Sequence, residues 1–183
     1  RGAEESADLI NMIIDKGARL IIHQSGCIAY TRVYDVASAA QRREMAQFIL
    51  AHFGEYAAHP FGNYAVQRVI KGKLEEDLKS VRDHILASVP STATTLTGNK
   101  FGSHVVESFF TTADWDLFEE SFRVLLQQPD FVAHICFNRF GNYVLQSAMR
   151  RSCERPAFKD ECISYVRPHL YNCPFAQNIV KSW

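Results

Sequence analysis

An all-α fold, a solenoid of stacked helical repeats, is predicted for this chain of 183 residues. Three observations predict it. A short motif recurs five times at near-constant spacing, the segments between the copies carry apolar residues at three- and four-residue steps, and strand patterns are scarce. The copies are Ser25-Gly26-Cys27-Ile28-Ala29-Tyr30-Thr31, Phe61-Gly62-Asn63-Tyr64-Ala65-Val66-Gln67, Phe101-Gly102-Ser103-His104-Val105-Val106-Glu107, Phe140-Gly141-Asn142-Tyr143-Val144-Leu145-Gln146 and Phe175-Ala176-Gln177-Asn178-Ile179-Val180-Lys181. Their second residues lie 36, 40, 39 and 35 positions apart, a period in the range of roughly 20–50 residues that marks solenoids and propellers. The middle three agree closely, and the first and fifth are degenerate.

The elements follow in order. Leu9, Ile10, Ile13 and Ile14 mark a closing helix over 5–17, belonging to a repeat whose motif helix is not in this chain, so the stack is expected to continue toward the N-terminus. A degenerate repeat is expected over 18–54, well-formed repeats over 55–92, 93–131 and 132–168, and a capping repeat over 169–183, the whole of 1–183 forming one domain. Within each unit the motif helix is followed by a second helical stripe. These stripes are Leu74, Leu78, Val81, Ile85 and Val89, then Leu117, Phe118, Phe122, Leu125 and Leu126, then Phe158, Cys162, Tyr165 and Val166. Pro156 stands where a helix starts, and Gly72, Pro90, Gly98 and Pro129 mark turns. The connection Ser88–Asn99, rich in Ser and Thr, reads as a loop and a candidate surface for a protein partner. Each unit is helix, turn, helix, and neighbours must stack to bury their apolar faces.

Composition narrows the function classes. Twenty basic residues balance twenty acidic ones, which argues against a nucleic-acid binder that works through charge alone. Five cysteines without a Cys-x-x-Cys pair fit neither a disulfide framework nor a zinc site. No apolar run approaches the roughly 20 residues of a membrane helix. No His, Cys, Ser or carboxylate spacing forms a recognised catalytic or metal-binding constellation, so neither an enzyme nor a cofactor is expected.

The motif helix itself carries chemistry. Ala65, Val66, Val69 and Ile70 make a buried face, while Asn63 and Gln67, four apart, are expected to project together from the opposite face with Tyr64 beside them. Ser103, His104 and Glu107 occupy the same places in the third copy, and Asn142, Tyr143 and Gln146 in the fourth. A ring can stack on the face of any base, and two polar side chains can read its Watson–Crick edge. Asn with Gln supplies donors and acceptors that match uracil, whose edge alternates acceptor, donor, acceptor. Glu only accepts, and guanine presents two adjacent donors.

These trios and their spacing resemble the Pumilio/PUF family of RNA-binding proteins, most clearly from His59 to Val180. The resemblance implies a right-handed, curved α-solenoid with three helices per repeat, the middle one lining a concave RNA-binding surface, with protein and RNA antiparallel. It assigns Asn-Tyr-x-x-Gln to uracil and Ser-x-x-x-Glu to guanine, in agreement with the edge chemistry. The three trios are similar to those of the sixth, seventh and eighth repeats of the usual eight, and Val166-Arg167-Pro168-His169-Leu170 is similar to the passage into the C-terminal cap. Together they spell UGU, a triplet that reads the same in either direction.

Three departures stand out. Cys27, Ile28 and Thr31 lie where the family's adenine-reading repeat has Cys and Gln with an Arg between, His104 lies where Asn is common, and Gln177, Asn178 and Lys181 belong with Ala176 to a capping repeat. Arg32, Arg68, Lys100, Arg139 and Arg150 are candidates for phosphate contact. The resemblance thus implies a monomeric, cytoplasmic protein that binds single-stranded RNA with a UGU core, in 3′ untranslated regions of messenger RNA, for post-transcriptional regulation. Protein co-regulators would sit on the convex face or the repeat loops. The alternative within the same fold is a nucleolar scaffold of ribosome biogenesis that binds ribosomal RNA or protein without reading sequence.

Overall fold

A computed structural model describes residues 2–87 and 91–183, without the side chains of residues 2–7 and 91. Among the described residues there is no strand, and the helices come in threes. After α1 (Gly2–Asp15) a first unit holds α2 (Gly17–Ile21), α3 (Gln24–Val36) and α4 (Ala39–Ala51). The second holds α5 (Phe53–Ala57), α6 (Gly62–Lys71) and α7 (Glu75–Leu86), and the third α8 (Ser91–Gly98), α9 (Gly102–Thr112) and α10 (Trp115–Leu126). The fourth holds α11 (Pro129–Phe137), α12 (Gly141–Ser152) and α13 (Pro156–Val166), followed by a 3-10 turn at Arg167–His169 and the short α14 (Ala176–Val180).

Each unit therefore has a short leading helix ahead of the two that the periodicity shows. The unit edges expected at 17/18, 54/55, 92/93, 131/132 and 168/169 all cut through these leading elements. The physical reason is length: α2 and α5 have five residues each, too few to display a helical period. The expected loop at 88–99 is corrected in the same way, because Ser91–Gly98 is α8. Pro129 opens α11 rather than marking a turn outside it. Val89 and Pro90 lie outside the described residues.

Equivalent helices stack on one another along the chain. The motif helices α3, α6, α9, α12 and α14 each pack on the next, and α4, α7, α10 and α13 form a parallel layer, the nearest-neighbour arrangement of a solenoid. Ala65, Val66, Val69 and Ile70 are fully buried, as are Val105, Val106, Val144 and Leu145 in the same register. Of the second stripe, Leu78, Val81 and Ile85 are buried, whereas Leu74 is exposed as the residue ahead of α7. In α1, Ile13 and Ile14 pack on the core and Leu9 is exposed. The third and fourth units are joined by an aromatic cluster of Phe110, Trp115, Phe118, Phe122 and Phe158. Arg151 reaches across this joint, donating to the carbonyls of Phe110 and Ala113 at the end of α9 and lying 4.6 Å over the Phe118 ring. A cation at that helix terminus complements the helix dipole.

Candidate nucleic-acid interface

The motif helices start from a constrained joint. A Cβ on Gly102 would stand 2.7 Å from the carbonyl oxygen of Leu96, and one on Gly26 would stand 2.5 Å from that of Leu20. Glycine is required here so that the motif helix can close against the leading helix of its own unit, not for an unusual backbone angle. In the last copy, where Ala176 takes the glycine's place, a 3-10 turn at Arg167–His169 stands ahead of the motif helix instead of a leading α-helix.

The residue three positions before each glycine locks the joint. His23 Nδ1 accepts from Gly26, His59 Nδ1 accepts from Phe61 and Gly62, and the side-chain oxygens of Asn99 and Asn138 accept from the equivalent pairs. This His, His, Asn, Asn series is visible in the repeat alignment.

From this joint the first polar residue of each trio points inward, not outward as the spacing suggested. Asn63 is 2% exposed and Asn142 1%. The Asn63 amide donates to the carbonyls of His59 (2.8 Å) and Pro60 (3.0 Å), and its oxygen accepts from Gln67 Nε2 at 2.9 Å. Asn142 does the same with Asn138, Arg139 and Gln146. The reason lies in the helical wheel: at about 100° per residue, Asn63 falls only about 20° from the buried Ile70.

This inward turn has a chemical consequence. Two carbonyls dictate which end of the asparagine amide is nitrogen, and the asparagine oxygen then dictates which end of the glutamine is nitrogen. Gln67 and Gln146 are held with one N–H committed, leaving one donor and one acceptor in a fixed order. Uracil's acceptor–donor–acceptor edge meets a glutamine in either orientation, whereas cytosine's edge meets only one, so a glutamine pinned in the opposite order excludes cytosine and one free to flip does not.

The third copy is built differently. Ser103 is also buried, its hydroxyl donating to the carbonyl of Lys100 at 3.1 Å, so it does not hold Glu107. The next unit does: Ser147 donates to Glu107 Oε1, and Arg150 donates to Ser147 at 3.0 Å. Glu107 Oε2 lies 4.0 Å from His104 Nδ1. Nothing in the motif itself signals Ser147, which comes from a neighbouring repeat 40 residues on.

The ring positions are open. Tyr64 is 58% exposed, Tyr143 61%, and the His104 side chain 59%. The degenerate copies differ. Cys27 is buried with its thiol directed to the Gln24 carbonyl, and the Thr31 hydroxyl donates to the carbonyls of Cys27 and Ile28. Ile28 remains exposed. Gln177, Asn178 and Lys181 are exposed, with no side-chain hydrogen bond among the described residues to pair them. Of the five candidate phosphate contacts, Arg68 is paired with Asp35, Lys100 and Arg139 lie over Phe101 and Phe140, and Arg150 is engaged with Ser147. Arg32 is exposed. Among the described residues no cluster of three His, Cys, Asp or Glu could hold a metal ion, and no helix is long and apolar enough to cross a membrane.

Repeated joints, pinned amides and open rings in one register define a helical-repeat protein with a recurrent polar and aromatic face. The sequence matches the profile of the Pumilio-family RNA binding repeat over residues 52–86, 94–114 and 131–155. It is 25% identical over 178 residues to a Pumilio domain-containing protein, C6G9.14, of Schizosaccharomyces pombe, covering 97% of this chain and 25% of that one. It is 30% identical over 135 residues to Fem-3 mRNA-binding factor 1 of Caenorhabditis elegans, covering 66% of this chain and 22% of that one. Among solved structures, the Puf4 RNA binding domain bound to an HO endonuclease RNA 3′ UTR recognition sequence superposes with a TM-score of 0.83 at 24% identity, covering 98% of this chain and 57% of that one. A Puf4 mutant bound to a Cox17 RNA 3′ UTR recognition sequence superposes with a TM-score of 0.81 at 26% identity, over 94% of this chain and 55% of that one. The chain belongs to the Pumilio repeat family, a family of binding repeats rather than enzymes. It spans about a quarter of the length of the first of these curated relatives and little more than half of the solved domains.

Proposed function

We propose that this chain binds single-stranded RNA one base per repeat and selects the triplet UGU, in messenger RNA 3′ untranslated regions, as a cytoplasmic regulator after transcription. One observation carries the proposal. Two Asn–Gln pairs joined by the same 2.9 Å hydrogen bond, on α6 and α12, bracket a Ser–Glu copy on α9, and each stands beside an exposed ring. A pinned glutamine offers one donor and one acceptor, as the uracil N3–H and a neighbouring carbonyl require. An unprotonated Glu107 offers only acceptors, and guanine is the base with two adjacent donors on that edge. The rings Tyr64, His104 and Tyr143 supply stacking of roughly 1–3 kcal/mol per base.

The names of the similar proteins support the same direction. One relative is named an mRNA-binding factor, and the Puf4 structures hold 3′ UTR recognition sequences. Because the triplet is symmetric, the assignment holds for either strand polarity. The direct test is fluorescence anisotropy with oligonucleotides carrying UGU or UAU in an otherwise constant strand. UGU should bind at least about tenfold more tightly, since one mismatched base costs on the order of 1–3 kcal/mol. Equal binding would favour the scaffold alternative, in which RNA is held without reading.

A further inference from the structure

Between α3 and α6, on the face that carries the rings, lies a crevice of about 360 Å³ lined by Gln24, Cys27, Ile28, Thr31, Phe61 and Tyr64. Two of these stand up as its walls, Ile28 at 51% exposure and Tyr64 at 58%. The positions that hold the pinned pair on α6 are here Cys27 and Thr31, and neither offers a free donor. The thiol is directed to the Gln24 carbonyl at 3.2 Å, and the hydroxyl donates to the carbonyls of Cys27 at 2.8 Å and Ile28 at 3.1 Å. What Thr31 can present to a ligand is its methyl group and an already engaged oxygen. Gln24 is exposed at the rim, and without a neighbour to fix its amide it can turn either end toward an edge.

We propose that this crevice takes a fourth base, adjoining the uracil assigned to Gln67, gripped between Ile28 and Tyr64 and accepted without regard to its identity. The proposal rests on the RNA reading above and deepens it. Tyr64 then serves two bases, one on each side of its ring. Every base has a π face to offer such a slot, whereas discrimination needs a donor and an acceptor held in a fixed order, and the crevice holds no fixed donor. The bound sequence is therefore a read triplet with one filled but unread position at the α3 end.

The test uses eight-nucleotide strands with UGU at the centre and abasic sites on both sides, measured by fluorescence anisotropy. A, C, G or U is then restored at each flank in turn. At one flank, any base should strengthen binding about tenfold, and the four bases should agree within about threefold. Ile28→Ala, at an exposed position, should abolish that gain and leave affinity for the strand with both flanks abasic unchanged. Cys27→Asn with Thr31→Gln should rebuild the pinned pair, since the Gln24 carbonyl stands where Pro60 stands in the next repeat, and should make the position select uracil. The proposal is overturned if no flank shows a gain that depends on Ile28, or if one base exceeds the other three by about tenfold. Failure of the underlying reading looks different: the strand with both flanks abasic would then bind no better than its UUU counterpart, while the Ile28 comparison would still decide whether the crevice holds a base.

Discussion

Replacing Asn63 by Ala separates orientation from contact at the uracil position. The side chain makes three hydrogen bonds, two to carbonyls at 2.8 and 3.0 Å and one from Gln67 at 2.9 Å. The His59 carbonyl keeps the backbone N–H of residue 63 at 3.3 Å, but the Pro60 carbonyl loses its side-chain donor. With about 1 kcal/mol net for each bond, the expected loss of stability is about 2–3 kcal/mol. For a chain of this size that is a fall in Tm on the order of 5–10 °C. The larger effect is on selectivity, because Gln67 becomes free to flip. A preference for U over C of about tenfold or more, the scale of one lost edge match, should fall to about twofold at one end of the triplet. Asn142→Ala should do the same at the other end. The assay is anisotropy with UGU, CGU and UGC strands, alongside a thermal melt. If Asn63→Ala leaves U over C intact, or erodes both ends equally, the amide-pinning account is refuted.

Other outcomes follow from the same coordinates. Ser147→Ala releases Glu107 Oε1 and should reduce the preference for G at the middle base about three- to tenfold, leaving both uracil preferences in place, with Ser147→Thr restoring it. Gly102→Ala should destabilise the fold by about 1–3 kcal/mol in urea melts, because backbone must move away from a Cβ at 2.7 Å. Gly54→Ala, whose Cβ meets nothing within 4 Å, should instead be neutral or stabilising by up to about 1 kcal/mol. Burial holds the Asp77 carboxyl above its ordinary value, with Glu76 adding to the effect and Arg43 opposing it, and its Oδ2 has no hydrogen-bond partner. The folded state therefore binds that proton more tightly than the unfolded one, and stability is lost as pH rises through the raised value. Asp77→Asn should stabilise the protein at pH 7, and the advantage should vanish below the ordinary value of 3.8, as checked by urea melts across that range.

Much of this was legible in the sequence, for identifiable reasons. The stripes through Leu117, Phe118, Phe122, Leu125 and Leu126 span three turns, long enough to show a helical period, and all five are buried. Tyr64 and Tyr143 sit about 100° from their asparagines, clear of the apolar arc, and both are exposed. The leading helices did not show in the periodicity, because five to nine residues are too few to display it, and only the family resemblance implied them. Nor was the burial of Asn63, Ser103 and Asn142, since a four-residue spacing places two side chains on one face but does not say where that face ends. Contacts between repeats, such as Ser147 to Glu107 and Arg151 to the end of α9, bridge 38 to 41 residues. No local pattern encodes them.

The residue pair at the first and fifth positions after the glycine sets the base, and exchanging one pair for the other tests this most directly. Ser103→Asn with Glu107→Gln places an amide where the carbonyls of Asn99 and Lys100 repeat those of His59 and Pro60, Lys100 already accepting from Ser103. In anisotropy titrations the unaltered protein should prefer UGU over UUU by about tenfold or more, and the double variant should prefer UUU over UGU by a similar factor. Equal binding of the two strands by the unaltered protein, or a double variant that still prefers guanine, would contradict it.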